Sequence, residues 1–265
     1  MTALTARVPA GRYGFRHVAR MEWIKLRSLR STWWTLAITV AAAIAIGVTV
    51  GINTRNANGD LTNNALAGII PALLLTSVLG VLTMTSEYSS GMIRSTLAAA
   101  PSRPLLLAGK AAVFGALALA VGEAASFISF FAGGAALRHG IAAPALTGPG
   151  VLRAVLLSGV SFCLVGLLAL GLGAVIRHSG AAIAVVVGGV YVLPTIMASV
   201  AHGLGVYMPI IIIGNSLTTT KPEPCGSHGG QCVHFVSAWA GLGLLGLYAA
   251  VALAVGGWLF ARRDA

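Results

Sequence analysis

Apolar positions along this chain come in six long runs, at about 33–52, 65–86, 110–137, 153–176, 181–203 and 235–261. Each reaches the roughly 20 residues that a helix needs to cross the hydrocarbon core of a bilayer. Backbone polar groups cannot be left unpaired in lipid, so such runs must be helices. The pattern predicts an all-α polytopic membrane protein with six transmembrane helices. Ahead of the first run, Tyr13 to Ser31 alternates with helical period. Phe15, Val18, Glu22, Leu26 and Leu29 share one side, and Arg16, Arg20 and Arg27 share another. Such an amphipathic helix would lie at the membrane interface with its basic side toward anionic headgroups. Glu22 interrupts its apolar stripe. Trp33 and Trp34 follow as an aromatic belt at the boundary.

Two further features break the regular pattern. Between the fifth and sixth runs, a loop over 204–234 contains VYMPIIIIGNSL (Val206 to Leu217), apolar but too short to cross. It is expected to form a short re-entrant or outer interfacial helix. Pro194 should kink or end regular helix near the end of the fifth span. The second break is the polar stretch Glu87 to Lys110, EYSSGMIRSTLAAAPSRPLLLAGK. Read as a helix after Glu87, it places Glu87, Gly91, Arg94 and Ala98 on one face. Glu87 and Arg94 would then stand roughly 10 Å apart along the axis, with bare backbone at Gly91 between them. Pro101 and Pro104 would end that helix, and Leu105 to Lys110 would lead into the third span. A charged face with a notch suits docking of another protein. A solvated connector between spans fits the same residues.

Composition sharpens the class. Of 265 residues, 57% are hydrophobic and only 9% charged, with a mean hydropathy of +0.89, against about 25% charged in soluble domains. A net charge of +11 would point to nucleic acid in a soluble protein. Here basic loops that set membrane orientation account for it, and no nucleic-acid partner is expected. With the N-terminus inside, segments 1–32, 87–109, 177–180 and 262–265 together with Lys110 hold thirteen of the 17 Lys and Arg residues. Both termini are therefore expected in the cytoplasm. The layout reads as an N-terminal arm (1–32), one six-span domain (33–261) with a cytoplasmic segment at 87–109, and a short tail (262–265). The N-terminus lacks the features of a cleaved signal peptide.

Candidate chemistry is sparse. Glu123 is the only ionisable residue near the middle of a span. It reads either as part of a substrate path or as a protonated acid hydrogen-bonded to a neighbouring helix. Cys225 and Cys232 lie in a Gly-rich part of the outer loop, where a disulfide is the expected state. A metal site made by them with His228 and His234 would match no standard zinc spacing, so no metal is expected. Cys163 reads as a packed apolar thiol. Gly47 and Gly51, and Gly246 with Ala250 and Ala254, have the spacing that lets helices approach closely, within one chain or between two. Gly109 and Lys110 lack the rest of a phosphate-binding loop, and no hydrolytic constellation occurs. No catalysis and no cofactor are expected in this chain.

Three stretches carry a resemblance. MEWIKLRSLRSTWWTL (Met21 to Leu36) followed one hairpin later by EYSSGMIRSTLAAAPSR (Glu87 to Arg103) resembles the type-2 permease family of ATP-binding-cassette exporters. Glu87, Tyr88, Gly91, Ile93, Arg94, Thr96, Leu97, Pro101, Ser102 and Arg103 fit that family's acid–Tyr–x–x–Gly segment and its following Pro-(Ser/Thr)-Arg. Met92 stands where threonine is usual. The Val206 to Leu217 piece resembles the family's Pro-containing segment after the fifth span. The resemblance implies the membrane half of a transporter in a bacterial plasma membrane. A separate ATPase subunit would supply ATP and Mg, and a second permease subunit, the same or related, would complete the assembly. It assigns ATPase coupling to Glu87, Tyr88, Gly91, Arg94, Thr96, Pro101 and Arg103. The N-terminal interfacial helix would contribute Glu22, Lys25 and Arg27. With few intramembrane charges, a hydrophobic or amphipathic cargo is expected to be exported. A non-transporting scaffold or sensor, or a self-powered carrier, remains an alternative for the same layout.

Overall fold

A computed structural model describes residues 14–55, 59–99, 102–138, 140–200, 205–219 and 236–262. Every regular element among them is helical. The helices are α1 (Phe15–Ser28), α2 (Arg30–Asn53), α3 (Leu61–Ala65), α4 (Ile69–Ser89), α5 (Met92–Ala99), α6 (Arg103–Ala135) and α7 (Val151–Ile176). Then come α8 (Ser179–Val186), a π-helical turn (Val187–Val192), α9 (Leu193–Val200), α10 (Pro209–Leu217) and α11 (Ala238–Arg262). Among the described residues, six helices are long and apolar enough to cross a membrane: α2, α4, α6, α7, α11 and Ser179–Met197. The protein is an all-α, multi-pass membrane protein.

Helix α7 is the spine, packed against α4, α6 and α11. Glycines make that possible. A Cβ added at Gly80 of α4 would sit 2.5 Å from the Gly166 carbonyl oxygen, and one at Gly122 of α6 would sit 2.6 Å from that of Gly159. In α11, the same atom at Gly256 would lie 2.8 Å from the Gly171 oxygen. Lipid offers no hydrophobic drive for helices to associate, so such close backbone contact supplies the attraction.

The glycine-spaced pairs behave differently from each other. Gly47 and Gly51 of α2 both face inward within one chain, where an added Cβ would lie 2.5 Å from the carbonyl oxygens of Ala65 and Gly133. Gly246 meets nothing within 4 Å, and Ala250 and Ala254 are exposed. Alpha-11 contacts the bundle instead through Leu245, Ala249, Ala252 and Gly256. Gly47→Val is therefore expected to destabilise the protein by about 1–3 kcal/mol through overpacking, whereas Gly246→Val leaves unfolding in a mild detergent within about 0.5 kcal/mol. Equal effects in a thermal-unfolding assay would contradict this helix arrangement.

Two expectations need correction. First, Pro104 does not stop a helix. It lies in the first turn of α6, where its missing N–H costs nothing. The third span therefore starts near 103 rather than 110, and its 33 residues extend beyond the hydrocarbon core. Second, α4 continues to Ser89, and the chain turns at Gly91 with φ +70°. Glu87 and Arg94 are thus on separate helices and share no face. The fifth span is interrupted as expected around Pro194. Pro194 has no N–H for the ladder, and the turn Val187–Val192 just before it widens to π geometry. Pro101, Cys225 and Cys232 lie outside the described residues, so the expected disulfide has no structural account.

Alpha-10 is the short apolar helix anticipated before the last span. Its Ile210, Ile212, Ile213 and Leu217 are buried. It is held at the end of the bundle away from α1 by Arg153 Nη2 donating to the Thr218 oxygen at 2.7 Å and Thr219 N donating to Asp60 at 2.6 Å.

Candidate functional site

Two of the chain's six acids meet two of its three lysines at the α1 end of the bundle. Val18 of α1 seats against Gly109 of α6, where an added Cβ would come within 2.6 Å of its Cγ1. One helical turn after Val18 stands Glu22, and one residue after Gly109 stands Lys110. Seating Val18 therefore brings the interrupting acid of α1 directly onto a base of α6. Lys110 Nζ donates to Glu22 Oε2 at 2.7 Å and to Glu87 Oε1 at 2.5 Å. Lys25 Nζ donates to Glu87 Oε1 at 2.6 Å and reaches Glu22 Oε1 at 3.4 Å. Two acids and two bases from α1, α4 and α6 thus form a closed square of zero formal charge.

Burial makes that square consequential. Glu22, Glu87 and Lys110 are only 1%, 3% and 1% exposed. Lys25, whose side chain is 22% exposed, is the rim member. Burial pulls the Lys25 ammonium down in pKa, but the hydrogen bond and attraction of Glu87, together with Glu22, outweigh it and hold it above 10.5. The group stays protonated across physiological pH. Glu87 Oε1 accepts from both lysines, while its buried Oε2 has no hydrogen-bond partner among the described residues.

Below the square, an apolar cluster joins the same helices. It holds Val18, Met84, Ile93, Leu106, Leu107, Phe114 and Phe260, with Tyr88 and Leu97 packed against it. Alpha-5 hangs from this cluster. Its Ile93 and Thr96 are buried, while Met92, Arg94 and Ser95 are exposed. Arg103 Nη1 donates to the Phe260 oxygen at 3.0 Å, and Arg177 Nη2 donates to that of Leu259 at 3.3 Å. These cations satisfy carbonyls in the last turn of α11. The Arg177 guanidinium also lies 5.1 Å from the centre of the Tyr88 ring.

The residues singled out from sequence therefore divide. Glu22, Lys25 and Glu87 come together in the square. Arg94 stands exposed on α5, Thr96 is buried beneath it, and Gly91 forms the turn above it. Arg103 clamps α11 and Tyr88 lies under Arg177. Arg27 is exposed, and its carbonyl accepts from Trp33 Nε1 at 3.1 Å. From sequence alone, Lys110 reads only as a charge at the boundary of the third span. The available signal was Glu22 itself: an acid inside an apolar stripe needs a buried base.

Glu123 stands apart, on the seam between α6 and α7. It has room because Gly159 lacks a side chain: an added Cβ there would lie 2.4 Å from the Glu123 carboxyl carbon. Its buried Oε2 has no hydrogen-bond partner among the described residues. The nearby hydroxyls pair with each other instead, Ser158 donating to Ser126 at 2.8 Å. Glu123→Gln is expected to leave stability within about 1 kcal/mol, since no pair is broken. A loss of several kcal/mol in detergent unfolding would show that the carboxylate has a partner.

No protein-family model matches the chain, and no curated protein matches it in sequence.

Proposed function

We propose that the chain is the permease subunit of an ATP-driven exporter in a bacterial plasma membrane. Both termini and α5 face the cytoplasm, a second permease subunit completes the path, and a separate ATPase supplies the energy from ATP and Mg. The cargo is hydrophobic or amphipathic. The observation that carries this reading is the way α5 is mounted. Its buried side enters the apolar cluster under the ion-pair square, and its other side presents Met92, Arg94 and Ser95 to solvent. A push on that exposed side reaches α1, α4 and α6 together, because the square locks those helices at one point. An element exposed outside the bundle, following α4 directly and seated by Ile93 in a cluster that α1 and α6 share, suits the receipt of mechanical work. The basic residues concentrated at the α1 end support its cytoplasmic placement.

The test is to isolate the tagged chain in a mild detergent from the membrane that makes it. A stoichiometric ATP-hydrolysing subunit is expected with it, crosslinking to a cysteine at position 94. An impermeant maleimide should label that cysteine from the cytoplasmic side only. Labelling from outside, or ion-gradient-driven uptake by the chain alone in vesicles, would overturn the proposal.

A further inference from the structure

On a different side of α1 from the ion-pair square, α1 and α6 leave an open groove of about 630 Å³, within the range of small-molecule sites, roughly 300–1,000 Å³. We infer that this groove holds an anionic phospholipid of the surrounding bilayer, with its phosphate on Arg20 and one acyl chain along α6.

The groove follows from how α1 is seated. Val18 meets Gly109 and Glu22 meets Lys110, which leaves Ala19, Arg20 and Trp23 beside the next three turns of α6. Those turns present Ala112, Ala116 and Ala120, which share one helix face. Side chains so short leave the angle between the two helices unfilled. Trp23, 41% exposed, lines the groove without closing it. Ala112 to Ala120 runs about 12 Å along the axis, inside a helix long and apolar enough to cross the membrane. A lipid tail therefore has direct access.

Charge chooses the head. Arg20 lines the groove and is exposed, and Arg16, one turn earlier on the same side of α1, is exposed as well. Neither makes an ion pair among the described residues. No Asp or Glu precedes Glu22 in the chain, and Glu22 and Glu87 are both committed to Lys25 and Lys110. A guanidinium beside hydrocarbon needs a counter-ion, and its planar fork matches a phosphate. A lipid of net negative charge meets both needs. A zwitterionic lipid brings a cation of its own to a surface that already carries two, so it satisfies only the tail. A second copy of this chain would have to offer acids to Arg16 and Arg20, and its acids at this end are inside its own square. Bound in the groove, the lipid braces α1 against α6 where the square does not, whether or not the chain is a transporter.

The experiment titrates the full chain in mixed micelles with phosphatidylglycerol or phosphatidylcholine brominated on the acyl chains, since bromine quenches tryptophan on contact. Subtracting the same titration of Trp23→Phe isolates the signal of Trp23 from that of the other tryptophans. Half-quenching is expected at a mole fraction of phosphatidylglycerol at least about 5-fold below that of phosphatidylcholine, the factor one arginine contributes at an anionic surface. Arg20→Gln should abolish this preference at unchanged melting temperature. Arg27→Gln removes the same charge from the same helix outside the groove, so it should keep the preference. That comparison separates one lipid site from a general attraction of α1 to headgroups. Ala116→Leu narrows the groove and should weaken quenching by both lipids several-fold. Equal half-quenching by the two lipids in the parent would mean ordinary boundary lipid. Equal loss of preference in Arg20→Gln and Arg27→Gln would mean diffuse surface charge, and a Trp23 that neither lipid quenches would mean a groove closed by protein. Each of these results overturns the assignment, as does an Arg20→Gln or Ala116→Leu chain that behaves like the parent.

Discussion

Lys110→Met is expected to destabilise the protein by about 3–5 kcal/mol, the largest effect of any single substitution considered, because it leaves an uncompensated buried charge. Lys110 touches both acids of the square from a position that water does not reach. Without it, Glu22 and Glu87 share only Lys25, so one negative charge stays buried and unpaired. Lys25→Met removes the rim member, whose side chain is 22% exposed, and water can enter in its place, so about 1–2 kcal/mol is expected. The two lysines make similar contacts, and burial alone separates the outcomes. Pairing Lys110→Met with Glu22→Gln restores neutrality, leaving Lys25 with Glu87. The double variant should therefore be more stable than the sum of its two single variants by at least about 1 kcal/mol. Unfolding of all four proteins in one detergent gives the answer. Strict additivity, or a Lys110→Met variant as stable as the parent, would mean that the square does not join these helices.

The square also marks where reading along the chain stops working. Long apolar runs report length and period, which belong to one helix at a time, so the spans and the short α10 were legible. Glu22, Lys25, Glu87 and Lys110 come from three separate helices, and Glu22 and Lys110 stand 88 positions apart. Periodicity within any one helix cannot show that they meet. Carrying helical phase across Gly91 produced a face that does not exist, because a glycine at φ +70° resets the direction of the chain. Pro104 misled for a related reason: proline forbids the interior of a helix but suits its first turn. The spacing of Gly47 and Gly51 is that of Gly246 and Ala250, yet among the described residues only the first pair has a helix against it. What distinguished them was the neighbour, which spacing does not encode.

On the permease reading proposed above, Arg94→Glu is expected to reduce transport at least 10-fold in vesicles holding the chain with an ATPase partner, while ATP hydrolysis persists and melting is unchanged. Arg94 is exposed on α5 and lies outside the square. Reversing its charge therefore costs the isolated chain within about 0.5 kcal/mol. A loss of transport would then have to arise at the contact with another subunit. Gly91→Ala supplies the contrasting control. Its Cβ would meet nothing within 4 Å, but φ is +70°, so the expected cost is about 1–2 kcal/mol of backbone strain with no change at the docking surface. Gly91→Ala should therefore keep transport, whereas Arg94→Glu should regain it only with a compensating reversal of an acidic residue on the ATPase. Transport by Arg94→Glu at the parental rate would remove α5 as the point where work enters. The square would then remain a structural lock, since its geometry does not depend on what α5 touches.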